Sequence, residues 1–432
     1  MIIEILLPLP LNQITFYYKI KPHSLNEIKI GGLVNVIFRK KQITGLILKL
    51  HKKVDFNKKI LFVENIFEDL CFSDEIIKSM KFISRYSCIP ISLIFKLFLS
   101  GFTYKNIKFA ENKIDSDKKK LKLSNCQKNA ANILKEMNSK EHSVTTLHGV
   151  TGSGKTRVYM QNVLKTYLKG NQCLILVPEI ILTKEWVSEI KKDFGVYPQI
   201  YHSSIKKSEK SKIWKSAILG KPNIIVGTRS SLFLPFSNLG LIVVDEEHDP
   251  SYKQEENLII NTRDFAIVRA NYSNCPIILS SATPSIETIF NCKKKKYQRI
   301  QIKERINNVA LPSIEIIDKR KENLLISSKL QKTISKNLNI KKQTLLFINK
   351  RGYAPLIICK KCGYSKICPN CSSSLALHNY SSKKTFLLCH QCSYRENFIN
   401  NCKNCNKNDS FIFPGFGIEK IYEEIKKLYP KA

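Results

Sequence analysis

Eight of the fourteen cysteines fall in one 47-residue stretch as four Cys-x-x-Cys pairs: Cys359/Cys362, Cys368/Cys371, Cys389/Cys392 and Cys402/Cys405. A Cys-x-x-Cys turn sets two thiolates side by side, and two such turns complete the tetrahedral sulfur shell that zinc prefers. Eight thiolates therefore predict two closed Cys₄ sites holding two Zn²⁺ ions. Closed sites keep no open coordination position, so they read as structural supports for a protein- or DNA-contacting platform rather than as catalytic metal. Spacing alone permits three pairings of the four turns. His378 and His390 lie in the same stretch but are surplus to two saturated ions, and are expected at the surface or supporting the metal shell. The other six cysteines are scattered and read as ordinary core residues.

A second constellation is Gly149-Val150-Thr151-Gly152-Ser153-Gly154-Lys155-Thr156, which fits the phosphate-loop pattern G-x-x-x-x-G-K-[ST]. The glycines let backbone N–H groups close around phosphates. Lys155 then reaches the β/γ-phosphates of ATP, and the Thr156 hydroxyl ligates Mg²⁺. An incidental Gly-rich turn is disfavoured, because an apolar run precedes the motif and a helical pattern follows it. Ninety residues after Lys155 stands Leu241-Ile-Val-Val-Asp245-Glu246-Glu247-His248. Ligands bind at the carboxyl ends of parallel strands. Asp245 is therefore expected to hold the magnesium through water and Glu246 to orient the attacking water. His248 is placed to couple the nucleotide site to neighbouring segments. An acidic strand end alone is ordinary surface; the upstream phosphate loop makes this one functional.

The elements that must position these residues can be read from periodicity. Residues 1–108 form a first unit, with β-type runs at Ile2–Leu7, Ile14–Tyr18, Gly32–Phe38 and Ile43–Leu50, then helices across Phe72–Phe102. A polar, lysine-rich linker is expected over 109–123. From 124 to 318 the chain alternates strand and helix. Strands are expected at Ser143–Gly149, Cys173–Val177, Ile224–Val226, Leu241–Val244 and Ile277–Leu279, with a helix over Lys155–Leu168. Continuous apolar strands separated by helices predict a parallel sheet covered on both faces, the α/β class. A further unit, 319–432, opens with a strand at TLLFIN (344–349) that the cysteine stretch, 359–405, interrupts.

Size and composition set the bounds. At 432 residues with 43% hydrophobic content, the chain supports two or three domains. No apolar run is long enough for a bilayer span; Ile91–Ser100 is short, carries Lys96 and reads as a buried helix. The start, MIIEILLPLPL, has no basic leader and is not a signal peptide. A cytoplasmic location with reduced cysteines and no membrane partner is expected. The net charge of +36 points to a polyanionic partner, nucleic acid above all. With 60 lysines against 11 arginines, and Ile and Asn abundant, part of that excess reflects AT-rich coding. The sign is informative; the magnitude is not.

Asp245-Glu-Glu-His248 is where the chain resembles the DExH-type superfamily 2 helicases, whose core is RecA-like. Val177-Pro-Glu-Ile, Gly227-Thr-Arg-Ser-Ser and Ser281-Ala-Thr283 extend the match in order. LPLPL, HGVTGSGKT, DEEHDPSYKQ, SSATPS, NKRGYAP and the cysteine stretch narrow it to the primosomal protein N′ (PriA) family of replication-restart helicases. The resemblance covers almost the whole chain. It implies an ATP-dependent 3′→5′ helicase that acts at stalled forks, binds branched and single-stranded DNA, and recruits primosome proteins and single-stranded DNA-binding protein. Residues 1–108 would recognise a nascent 3′ end. Gln127 is placed like the adenine-contacting glutamine. Thr228 and Arg229 would touch single-stranded DNA, and Ser281 and Thr283 would couple hydrolysis to movement. Tyr252, in Asp249–Glu255, would be a stacking ring, and Arg263-Asp264 match the family's Arg-Asp pair. The family also implies nested zinc sets: Cys359, Cys362, Cys402 and Cys405 for one ion, Cys368, Cys371, Cys389 and Cys392 for the other.

Three departures from the family pattern stand out. The usual Phe-Asp-Tyr is Phe16-Tyr17-Tyr18 here, so a polar base contact is missing, although Phe16 and Tyr18 could still stack a base. The linker is too short for the family's winged-helix domain. The chain ends soon after Gly415-Phe-Gly-Ile-Glu-Lys420, which opens the second lobe in relatives. The family's later Gly-Arg-rich segment carries an arginine finger, a group worth roughly 10³–10⁵-fold in rate in related enzymes. A sheet ending there would leave an unpaired edge and exposed apolar surface. Three readings follow: a working helicase with a partial second lobe, a non-catalytic fork-binding scaffold for primosome assembly, or a zinc-ribbon translocase outside replication.

Overall fold

The N-terminal strands bury apolar residues in two cores, Ile3, Ile5, Val34, Val36 and Ile47 in one and Leu6, Leu33 and Leu46 in the other. β1 (Ile2–Leu6), β2 (Thr15–Lys19), β3 (Gly32–Phe38), β4 (Lys41–His51) and β5 (Asn65–Cys71) form an antiparallel sheet in the order β2-β1-β4-β3-β5. The computed structural model of the chain describes residues 1–10, 15–21, 28–52, 60–103, 123–137, 141–178, 184–195, 197–254, 259–306, 312–320, 322, 324–378 and 385–432. All but the last residue of the linker expected over 109–123 lies outside them, as do Glu179, Ile180 and Glu255. The described chain divides into two compact units, Met1–Ala310 and Leu311–Ala432.

Two helices follow the first sheet, α1 (Asp74–Ser87) and α2 (Ile91–Phe98). Asp74 and Glu75 sit in the first turn of α1, where the helix dipole favours negative charge. The apolar α2 is too short for a membrane and buries Ile94, Phe95 and Phe98. No helix among the described residues is long and apolar enough to cross a bilayer.

The remainder of the first unit is a strand–helix alternation. α3 (Asn125–Met137) leads to β6 (Val144–Gly149), α4 (Lys155–Leu168), β7 (Gln172–Leu176), α5 (Lys184–Phe194), β8 (Gln199–Tyr201), α6 (Lys207–Ile218) and β9 (Ile224–Gly227). β10 (Leu239–Asp245), a hairpin of β11 (Lys253–Gln254) and β12 (Ile260–Asn261), α7 (Thr262–Tyr272), β13 (Ile277–Ser281), α8 (Ile286–Lys293) and β14 (Gln298–Ile302) complete it. The seven long-range strands pair in the order β14-β6-β13-β10-β7-β9-β8, every pair parallel.

Helices on both faces explain the continuous apolar strands. Alternate residues of one strand feed two cores. Leu174, Ile242, Val244 and Leu279 point to the side where α6 and α7 pack, and Cys173, Ile175, Leu241 and Val243 to the side of α3 and α4. α1 and α2 join the first of these cores. Trp214 Nε1 donates to Phe98 O at 2.7 Å, and Tyr201 Oη donates to Ser100 O at 2.7 Å. Burial of such side chains contributes about 1.5–3 kcal/mol each, so the N-terminal helices and the parallel sheet share one core.

In the second unit, α9 (Ser328–Asn339) is followed by small sheets. β15 (Ile358–Cys359) pairs with β19 (Phe411–Ile412), and β16 (Ala376–His378), β17 (Phe386–Leu388) and β18 (Arg395–Asn397) form a three-stranded meander before α10 (Ile418–Leu428). The strand expected at TLLFIN does not form. Leu345 and Phe347 are 90% and 85% exposed. An apolar run becomes a strand only when a neighbour takes its hydrogen bonds, and no described residue of the unit pairs with 344–349.

Candidate functional site

The sheet order β6-β13-β10 sets three strand ends side by side, and each ends in a sequence-predicted site residue. The phosphate loop leaves β6 and opens α4. Gly154, at φ 74°, caps that helix in a conformation that favours glycine. At Gly149 a Cβ would stand 2.4 Å from Ser153 Oγ, so the loop closes only around a bare α-carbon. Lys155 is buried and its Nζ donates to Gly149 O at 3.1 Å. Gln127, from α3, is also buried and donates from Nε2 to Ser153 O at 2.9 Å. Gln127 therefore braces the loop.

Asp245 ends β10. Its carboxylate accepts hydrogen bonds from Tyr159 Oη at 2.9 Å, Ser280 Oγ at 2.9 Å and Glu246 N at 3.1 Å. Burial pushes the Asp245 carboxyl up from the ordinary value, against the lowering effect of these donors. Burial and the Asp245 charge push the Tyr159 hydroxyl well up, so Tyr159 stays a donor. Glu246 follows in the left-handed region at φ 46°, a conformation that costs of order 1 kcal/mol or more for a non-glycine residue. Burial, then the neighbouring Asp245, raises its pKa. His248 Nδ1 lies 2.8 Å from Ser281 Oγ, which also accepts from Thr283 N at 3.0 Å. Thr151, Gly152, Lys155, Thr156, Asp245, Glu246, His248 and Thr283 line a cleft of about 460 Å³.

The chemistry of the cleft fits a nucleotide with magnesium. Thr156 and Asp245 both line the cleft and offer hard oxygen donors, the donor type Mg²⁺ takes. Ser153 Oγ is buried without a hydrogen-bond partner among the described residues, a polar atom awaiting an acceptor or donor.

The cysteines converge as two nested sets, Cys359, Cys362, Cys402 and Cys405, and Cys368, Cys371, Cys389 and Cys392. Opposed sulfurs lie 3.7 Å apart for Cys359 and Cys405, 3.6 Å for Cys362 and Cys402, and 3.4 Å for both Cys368/Cys392 and Cys371/Cys389. A tetrahedral zinc with bonds of about 2.3 Å sets its sulfurs about 3.8 Å apart, so both sets could hold zinc. Hydrogen bonding with Ser410 lowers the Cys359 thiol pKa and hydrogen bonding with Ser373 lowers that of Cys371, while those of Cys405 and Cys392, which share their sets, are raised. His378 is no ligand to either set; it lies 2.6 Å from Glu419 and 3.0 Å from His390.

Several expected DNA contacts are placed otherwise. Tyr252 is 2% exposed, and its hydroxyl donates to Asp245 O at 2.7 Å. Its ring is core, and it ties the following segment to the acidic strand end instead of offering a stacking face. Arg263 is buried, bonding Glu247 at 3.1 Å, Asp264 at 2.8 Å and Ser285 Oγ at 2.6 Å. A guanidinium among these partners is committed to the interior. Tyr18 is buried with its hydroxyl on Ile37 O, and Phe16 packs edge-on against Phe38 at 5.0 Å. Alternation along β2 turns both inward, and Tyr17 takes the other face, opposite Glu4. Thr228 and Arg229 do stand at the carboxyl end of β9, on the rim shared with the cleft-forming strands. Thr228 is buried and Arg229 half-buried.

Comparison with known proteins agrees with this geometry. Residues 124–291 match the family model of DEAD/DEAH box helicases, and residues 4–100 match the 3′ DNA-binding domain (3′BD) model of PriA. Replication restart protein PriA of Rickettsia prowazekii is 42% identical over 411 residues, covering 94% of this chain and 62% of the relative. The chain belongs to the PriA family. PriA of Rickettsia felis is 41% identical across 95% of the chain and 63% of its own length. PriA of Bacillus subtilis is 38% identical across 69% of the chain and 37% of its own length. The chain thus spans less than two thirds of the length of these PriA proteins.

Sequence reasoning missed Tyr159, Ser280 and Glu247. Glu247 has a fully buried side chain that accepts from Ser285 N at 2.7 Å and from Arg263 and Thr288 Oγ1 at 3.1 Å each. Only its place in the acidic run could have signalled it. It also missed Arg305 and Ile306, which follow β14 and touch the phosphate loop.

Proposed function

We propose that this chain acts as an ATP-dependent 3′→5′ DNA helicase at stalled replication forks, restarting replication and assembling the primosome. The observation that carries this reading is the single cleft in which Lys155, Thr156, Asp245 and Glu246 meet the His248–Ser281 bond, in a chain of the PriA family with a 3′ DNA-binding domain match. Lys155 would hold the β/γ-phosphates of ATP, and the loop N–H groups would wrap them. Thr156 and Asp245 would hold Mg²⁺, which neutralises phosphate charge when bound. Glu246 would orient the attacking water and accept its proton. His248, Ser281 and Thr283 would carry the change at the phosphates toward the DNA-contacting rim, where Thr228 and Arg229 would meet a single strand.

In this reading, residues 1–108 hold a 3′ end, 124–318 the nucleotide, and 319–432 the second lobe with its two Zn²⁺ sites between 359 and 405. Branched and single-stranded DNA would be the substrates. Primosome proteins and single-stranded DNA-binding protein would be the protein partners, in the cytoplasm. A strand-displacement assay on forked DNA tests it. ATP-dependent release of the strand ahead, faster on forks with a 3′ end at the junction than on linear duplex, is expected. Fork binding without release would favour the scaffold reading. Equal activity on linear and forked DNA would favour a translocase outside replication.

A further inference from the structure

The segment leaving β14 runs along the phosphate loop and bonds it repeatedly. Val150 N donates to Ile302 O at 3.2 Å, Arg305 Nε donates to Thr151 O at 2.9 Å, and Ile306 N donates to Gly152 O at 3.0 Å. With Gln127 on Ser153 O from the other side, four consecutive loop residues are tethered. A trans peptide holds its C=O and N–H in one plane, pointing in opposite directions. A strut on the Thr151 carbonyl therefore aims the Gly152 N–H away from Arg305, and the Gln127 strut does the same for the Gly154 N–H. These are the kinds of groups that wrap phosphates.

Ile306 contributes a side chain as well. It lines the cleft, and its Cδ1 lies 3.0 Å from where a Cβ on Gly154 would stand, with Gln127 Nε2 2.5 Å from the same point. An aliphatic wall beside an amide, at the edge of a phosphate-binding cleft, is the pairing that a nucleoside needs: an apolar surface for its body and a polar group for orientation. We propose that Ile306 and Arg305 belong to the nucleotide site, Ile306 as the apolar wall on which the nucleoside rests and Arg305 as a positioning residue that fixes the loop for phosphate. This rests on reading the cleft as an ATP site.

The two roles separate by probe. A fluorescent ADP analogue reports on nucleoside and phosphates together, and inorganic tripolyphosphate, as competitor, reports on the phosphate grip alone. Ile306→Ala should weaken ADP-analogue binding about tenfold and leave tripolyphosphate competition unchanged, raising the KM for ATP more than it lowers kcat. Arg305→Ala should weaken both probes, and Arg305→Lys, which keeps a donor and the charge, should recover most of the loss. Thermal melts of each variant confirm folding, and the Ile306→Val variant gives a second reading should Ile306→Ala melt early. ADP-analogue binding within twofold of wild type in Ile306→Ala or Ile306→Val, or equal loss of both probes, would overturn the role of Ile306. Equal losses for Arg305→Ala and Arg305→Lys would overturn that of Arg305. A wild type that binds no ADP analogue, or a Lys155→Ala variant that binds it as tightly as wild type, would instead remove the underlying ATP-site reading and this inference with it.

Discussion

His248 and Ser281 meet at 2.8 Å, joining the end of β10 to the end of β13. Because Ser281 Oγ also accepts from Thr283 N and the His248 ring lies 3.5 Å from Glu246, a shift at Glu246 has a short route to the Ser281–Thr283 turn. His248→Ala and Ser281→Ala should bind ATP normally and hydrolyse it, yet release at least about fivefold fewer base pairs per ATP, the low end of typical coupling energies. Parallel measurement of hydrolysis and strand displacement checks this. Equal losses in both would make the bond part of the chemistry rather than of the coupling.

Arg263 and Glu247 form a buried ion pair with side-chain exposures of 9% and 0%. Removing one partner strands the other's charge, which costs about 3–5 kcal/mol. Arg263→Ala should therefore lower the urea midpoint strongly. An Arg263→Ala protein that unfolds like wild type and only binds DNA more weakly would restore Arg263 as a DNA contact.

The nested cysteine sets make a pairing prediction. Changing Cys359 and Cys402 together to serine should remove one zinc per chain, and changing Cys359 and Cys368 should remove both. Metal analysis distinguishes this from a sequential pairing, for which the outcomes would be reversed. A chelator should also melt the second unit, since structural zinc binding is folding energy.

Glu4 offers a pH test in the first sheet. Burial raises its pKa, but hydrogen bonds from His51, Thr15 and Lys49 outweigh this and hold it below the ordinary 4.5. A depressed carboxylate stabilises the fold above the unfolded value, and that contribution is lost as pH falls through the folded value. Glu4→Gln should therefore melt earlier than wild type at pH 7, by under about 1 kcal/mol because Lys49 is exposed. The difference should shrink as pH drops below 4.5. A difference that persists in acid would place the effect in packing instead.

What was legible in the sequence follows from what local chemistry constrains. The phosphate loop, the acidic strand end and the cysteine pairs were legible because ligand geometry fixes their spacing. The central strands were legible because burial on both faces leaves unbroken apolar runs. β8, β14 and β5 were not: they are edge strands with mixed composition, such as Gln298-Arg-Ile-Gln-Ile302. TLLFIN had the composition of a strand without the neighbour that makes one. Tyr252, Arg263 and Tyr18 have residue types suited to DNA, but which face they take is decided by tertiary partners far along the chain. Tyr159, Ser280, Arg305 and Ile306 reach the site only through strand order, which no local pattern reveals, and Glu247 was marked only by its place in the acidic run.

The most direct measurement is steady-state ATP hydrolysis with and without forked DNA, comparing wild type with Lys155→Ala. Phosphates held by the loop and energy passed to a bound strand require a wild-type rate that rises with DNA and a Lys155→Ala rate at background under both conditions. Equal rates in the two proteins, or a wild-type rate indifferent to DNA, would contradict a DNA-coupled motor.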